Sequence, residues 1–135
     1  IFFQYMIGNT DFSVAYQHNG KLLYANKQII PLPYDFDMSG LVDPSYAVAN
    51  EALGLKDIQE RAYRGFKRDE ALMNDVRAQF LNNKEAFFAI IDGFKPQFDN
   101  PNEHQEVVDY IASFFDVIES DKLFQSKIMD QMRTK

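Results

Sequence analysis

Cysteine is absent from the 135 residues. That excludes disulfides, thiolate metal sites and thiol catalysis, and it leaves the compartment open, because cysteine-free proteins occur on both sides of a membrane. No apolar run approaches the ~20 residues that span a bilayer. The apolar start, Ile1 to Ile7, is too short for a span and has neither the basic flank nor the cleavage pattern of a signal peptide. It reads as the end of a helix that begins upstream. Basic residues are the minority charge, 14 Lys and Arg against 20 Asp and Glu, for a net charge of −6. This balance disfavours a nucleic-acid backbone or an anionic membrane as the main partner. It leaves room for a nucleotide, which a metal ion and a few local groups can hold. Internal repeats, low-complexity tracts, a Gly-rich phosphate loop and a paired Lys are all lacking.

What is present is large and apolar. Hydrophobic residues make up 46% of the chain and 13 of them are Phe, enough to bury the core of one domain. The expected fold is mainly α with a small β-hairpin, an α+β arrangement, with a first segment at 1–40 and a helical subdomain at 41–135. Lys21 to Ala25 and Gln28 to Leu32 are strand-like runs joined by a tight turn at Asn26-Lys27. Pro31 and Pro33 limit the second run to an edge strand or extended chain. From Leu55 onward the helical period dominates. Leu72, Val76 and Phe80 predict a helix over about 69–82. Ala86, Phe87, Ile90 and Ile91 predict another, closed by Gly93. Val107, Val108, Ile111, Phe114, Phe115 and Ile118 share one face of a helix over 101–118, opened by Asn100-Pro101-Asn102-Glu103. Phe124, Ile128 and Met132 predict a last helix over about 121–132, capped by Ser120. These aromatic stripes are core-forming rather than a ligand box.

Chemistry concentrates before residue 41. Ile7-Gly8-Asn9-Thr10-Asp11 is followed by His18-Asn19, the hairpin, and Pro33-Tyr34-Asp35-Phe36-Asp37. Phosphoryl transfer on a kinase-like fold needs a carboxylate that orients or deprotonates the acceptor hydroxyl. It also needs an amide oxygen that ligates a metal, and a second carboxylate beyond a strand pair for the phosphate-bridging metal. Asp11, Asn19 and Asp35 come in that order. Mg²⁺ prefers such hard oxygen ligands. Taken singly, each motif has a plainer reading. Gly8 to Asp11 stops a helix and starts a turn, Asn19-Gly20 is a type I′ turn signal, His18 is a loop residue, and Asp35 with Asp37 is an acidic turn. Their joint order and spacing carry the functional reading.

The Gly8-Asn9-Thr10-Asp11 loop resembles the catalytic loop of the HipA-type serine/threonine kinases. His18-Asn19, followed by strands and Tyr34-Asp35-Phe36-Asp37, is similar to the CotH-type spore-coat kinases. The resemblance covers residues 7–40 and implies the C-terminal, helical lobe of a protein-kinase-like fold, with the nucleotide lobe outside this chain. It implies Asp11 as catalytic base, Asn19 and Asp35 as cofactor-binding metal ligands, and Asp37 as an auxiliary ligand. It implies Mg²⁺ and ATP as cofactors, with the missing lobe present, and a nucleotide and a hydroxyl-bearing substrate as partners. The face toward the missing lobe is expected to expose apolar groups from residues 1–7 and from the hairpin, covered by that lobe or by self-association. Asn19 lies eight residues after Asp11, nearer the CotH pattern than the five-residue spacing of the common kinase loop. Asp37 stands where the familiar metal loop has Gly.

Three other functions fit parts of this pattern. One is a non-catalytic kinase-like binding or scaffold module. Another is an aspartate-nucleophile phosphohydrolase with Asp35 as nucleophile and Asp37 as acid/base. The last is a plain helical interaction domain. Arg61, Arg64, Lys67 and Arg68 read as a solvated helix face paired with Glu60 and Asp69, with Arg61 or Arg64 facing a phosphate as the minor alternative. His104, in a helix's first turn without another His or Cys nearby, is expected to be exposed.

Overall fold

The computed structural model describes residues 1–134. The chain is mainly α with one small antiparallel hairpin. Its elements run α1 (Phe2–Met6), β1 (Gly20–Ala25), β2 (Gln28–Pro33), α2 (Glu70–Asn82), α3 (Lys84–Gly93), α4 (Pro101–Glu119) and α5 (Asp121–Lys127). Short 3₁₀ turns follow at Glu51–Leu53, Lys95–Gln97 and Met129–Gln131. They group into two compact units, Phe3–Ala62 and Tyr63–Lys135, the second also taking Ile1–Phe2.

In the helical unit, α4 is the hub. Phe114, Phe115, Ile118 and, from the turn after α5, Ile128 have no exposed surface. Phe114 meets Phe80 edge-on, and Phe115 packs against Phe87 and Phe88. Phe2 enters the same cluster beside Tyr63, Phe80 and Phe124. Two caps are those read from the sequence, Asn100 accepting from Asn102 N and Ser120 from Leu123 N, and Asp69 caps α2 by accepting from Leu72 N.

Several sequence expectations need adjustment. On α2 the buried residue is Met73, while Leu72 is exposed. A four-residue repeat drifts off one face of a 3.6-residue helix, and the inward face instead includes Arg77. Its guanidinium lies 4.5 Å from the Phe124 ring centre, and its Nε donates to Ile118 O at 2.6 Å. On α3, Ile90 is exposed and Phe88 turns inward. The last helix ends at Lys127, and Met129–Gln131 is a 3₁₀ turn. His104 is buried rather than exposed: Nε2 bonds Asp92 Oδ1 at 3.0 Å, and the Phe98 ring covers it edge-on.

No helix forms over 55–69, so the basic cluster does not lie on a helix face. Side-chain bonds to backbone compete with the helix here. Glu60 accepts the amides of Lys56 and Asp57, and Asp57 that of Gln59. Lys67 N bonds Arg133 O, next to a parallel bridge between Phe66 and Arg133. Among the described residues no helix is long and apolar enough to cross a membrane.

The fully buried Phe114 gives the sharpest test of this core. Phe114→Ala should lower stability by about 3–5 kcal/mol, the transfer and cavity terms together. Urea denaturation followed by far-UV circular dichroism measures it.

Candidate active site

The loop after α1 is built on a buried amide. Gly8 leaves the helix with φ 67°, a conformation glycine adopts without steric cost. The helix end closes with Gly8 N on Tyr5 O and Asn9 N on Gln4 O. Asn9 is 1% exposed. Its Nδ2 donates to Gln4 Oε1 at 3.0 Å, and its Oδ1 accepts from Asp11 N at 2.9 Å. This Asx turn sets the direction in which Asp11 leaves the loop. Arg61 reaches the same helix end, with Nε donating to Met6 O at 3.0 Å. This is a favourable position for a cation at a helix C-terminus. Burial raises the Tyr5 hydroxyl's pKa above its ordinary value, with the Arg61 charge opposing.

The eight residues from Asp11 to Asn19 are taken up by a tight loop. Ser13 and His18 exchange backbone hydrogen bonds at 3.0 and 2.9 Å, and Gln17 turns with φ 50°. His18 and Asn19 thereby come back onto Asp11. His18 Nε2 lies 2.8 Å from Asp11 Oδ1. Asn19 Nδ2 donates to Asp11 O at 2.8 Å and to Oδ2 at 3.0 Å. Both carboxylate oxygens are engaged, which fixes the rotation of a side chain that remains 46% exposed. The donor end of Asn19 is committed to Asp11. Among the described residues its amide oxygen accepts no hydrogen bond, and that is the atom able to ligate a hard cation.

The hairpin brings Asp35 to the same place. The register pairs Gly20 with Pro33 and Ala25 with Gln28 across the Asn26-Lys27 turn, where both turn residues have positive φ, as a type I′ turn requires. One step beyond the strands, Tyr34 N donates to Asn19 O at 3.1 Å. Asp35 therefore follows directly on the residue paired with Asn19. Asp35 has φ 60°, a strained conformation that Asp tolerates better than most residues. After the acidic turn the chain returns to the first loop. Asn9 bridges Ser39, Gly40 N bonds Gly8 O, and Leu41 N bonds Ile7 O.

Asp35 and Asp37 interact electrostatically. Hydrogen bonding to Asp37 and then the charge of Asp37 raise the Asp35 pKa, and the Asp11 charge adds to the rise. The pKa of Asp37 is lowered, first by the Asp35 hydrogen bond and then by that of Tyr46, whose hydroxyl donates to Asp37 Oδ2 at 3.0 Å.

Asp11, Asn19, Asp35 and Asp37 thus all lie in one unit, with Asn19 on Asp11 and Asp35 within range of both acids. Among the described residues, no group of three or more His, Cys, Asp or Glu side chains is placed to hold a metal. The expected ligand set, two carboxylates and one amide, is of a different composition. Sequence reasoning gave no specific role to Asn9, His18 or Tyr46. The Gly-Asn-x-Asp pattern is itself an Asx-turn signal, whereas nothing local ties Tyr46 to Asp37. Among known proteins, no family model, no curated sequence and no solved structure matches this chain.

Asn9 and Ser39 face each other at the bridge but should respond differently to truncation. Asn9→Ala strands the Gln4 amide and the Asp11 N–H, and should cost about 1–3 kcal/mol. The Ser39 hydroxyl is buried without a hydrogen-bond partner, so Ser39→Ala should be neutral or stabilising. Thermal unfolding of the two variants side by side makes the comparison.

Proposed function

We propose that residues 7–40 are the catalytic and metal-binding loops of an ATP- and Mg²⁺-dependent phosphotransferase acting on a hydroxyl acceptor, and that the chain supplies the C-terminal lobe of a kinase-like fold. The observation that carries this reading is the Asn19 bridge: its side chain holds the Asp11 carboxylate while its backbone pairs with Tyr34, next to Asp35.

The residues present suit the metal by donor chemistry. Asn19, Asp35 and Asp37 offer only oxygen donors, the class Mg²⁺ prefers. Bound there, the ion would neutralise charge on the phosphate oxygens. The chain's own residues do the rest. Asp35 and Asp37 supply negative charge, with the Tyr46 hydroxyl orienting Asp37. Asp11, held by His18 and Asn19, orients the acceptor hydroxyl and accepts its proton. The attacking oxygen must then approach a lone pair of Asp11 that neither neighbour uses, and a carboxylate with two oxygens has such positions to spare.

The phosphohydrolase alternative draws no support from the geometry. It needs parallel strands alternating with helices, and among the described residues the only sheet is the two-stranded antiparallel hairpin.

Paramagnetic Mn²⁺ offers a test on the chain itself. Its amide signals should broaden first around Asn19, Asp35 and Asp37, and Asp35→Asn should weaken that binding about tenfold or more, since it removes a ligand charge. In the protein that joins these residues to a nucleotide lobe, Asp11→Asn should leave Mg²⁺–ATP affinity nearly unchanged while cutting turnover by about 10²–10⁴. Asn19→Ala should affect both, and Asp37→Asn should cause a partial loss. Calorimetry with and without Mg²⁺ and transfer of labelled phosphate are the readouts. If no nucleotide binds under any metal condition, the catalytic reading fails and a scaffold role takes its place.

A further inference from the structure

The hairpin has two unlike outer edges. When two residues form the turn, the flanking pair exchanges both hydrogen bonds, and bonded pairs then alternate along the ladder. With Ala25 opposite Gln28, the bonded pairs are Ala25 with Gln28, Leu23 with Ile30 and Lys21 with Leu32. The bond from Tyr34 N to Asn19 O continues that alternation. Gly20, Leu22 and Tyr24 on β1 therefore direct their backbone groups outward, as do Ile29, Pro31 and Pro33 on β2. On β2 the two prolines have no N–H to offer. On β1 all three residues keep theirs, and among the described residues those groups pair with nothing. Such an edge is a template for another strand.

Both faces of the hairpin are apolar and open. Leu22, Tyr24 and Ile29 lie on one face; Leu23, Ile30 and Leu32 lie on the other. Their exposure runs from 38% at Ile30 to 72% at Tyr24. A two-stranded ribbon is marginal alone and gains stability from further strands.

We propose that β1 pairs antiparallel with β1 of a second copy of this chain across a two-fold axis at Leu22, merging two hairpins into one sheet ordered β2–β1–β1–β2. Self-complementarity selects this occupant. In that register Leu22 faces the partner's Leu22, Gly20 faces the partner's Tyr24, and Lys21 faces the partner's Leu23. Outward residues meet outward residues, so every open N–H and C=O of Gly20, Leu22 and Tyr24 finds a mate. An aromatic ring laid over a glycine across strands is a favourable pairing. The Lys21 stem lies along a leucine, and no like charges stand directly opposite. Both outer edges of the new sheet are β2, where Pro31 and Pro33 block further addition. The assembly closes as a symmetric dimer instead of growing. This pairing is independent of the phosphotransferase reading.

Sedimentation equilibrium over a dilution series tests it. The wild-type chain should be dimeric, and Leu22→Pro should weaken the dimer by about tenfold or more, since both copies lose an N–H at the centre of the interface. That N–H is not used by β2, so the hairpin should persist, as its other amide signals would report. Leu22→Lys sets two like charges opposite each other and should weaken the dimer independently. In a chain without cysteine, Leu22→Cys should oxidise to a covalent dimer, because directly opposed residues lie within disulfide reach. Tyr16→Cys, at a residue 89% exposed and off the strand, should not. A chain that stays monomeric up to roughly 1 mM overturns the proposal. So does a dimer indifferent to both Leu22 substitutions, or cross-linking at position 22 no faster than at position 16.

Discussion

The hydrogen bond from Tyr34 N to Asn19 O is the constraint on which the first unit turns. Strand pairing has a period of two, and slipping it by one residue exchanges faces and reverses which backbone groups point outward. This bond extends the hairpin register one step past the strands and fixes its phase. With that phase, Asp35 follows beside Asn19, and Asn19 in turn reaches Asp11. The same phase puts Pro31 and Pro33 at positions where a missing N–H costs the ladder nothing. The candidate site and the free edge of β1 therefore arise from one register.

In the helical unit a different kind of interaction dominates. Phe114 and Phe115 are adjacent on α4 and meet edge-on at 5.2 Å between ring centres. From there the contacts run to Phe80 of α2 and to Phe87 and Phe88 of α3. Such pairs contribute about 0.5–1.5 kcal/mol beyond their buried area, and edge-to-face geometry makes the packing directional. Arg77 joins this apolar setting by laying its guanidinium on Phe124 and bonding Ile118 O and Asp121. Its charge is satisfied without leaving the helix interface.

Much of this was legible in the sequence where the signal is local. The α4 stripe, the caps at Asn100 and Ser120, and the Asn26-Lys27 turn each depend on residues a few positions apart. What escaped depends on distant partners. A helix's first turn is usually exposed, and nothing near His104 in sequence announces Asp92 or Phe98. Residues 55–69 have a helix-like pattern, but the carboxylates of Asp57 and Glu60 bond backbone amides and divert the chain. Asp11, Asn19 and Asp35 were legible as an ordered set. The loop that absorbs the eight-residue spacing was not, because the Ser13–His18 pairing has no composition signal. Nor could composition say that Asn9 would be buried while Asp11 stays half open.

Asn19 and Asp35 both sit at positive φ, 49° and 60°, and both contribute side-chain oxygens to the candidate site. These positions face two separate demands, one on backbone conformation and one on donor chemistry. Glycine meets the first better than either residue and fails the second entirely. Selection for stability alone would thus drift toward glycine at 19 and 35, keeping the hairpin and erasing the site. Relative to glycine, Asn and Asp at these positions cost about 1–3 kcal/mol per strained residue at most, while supplying the oxygens that the proposed metal site needs.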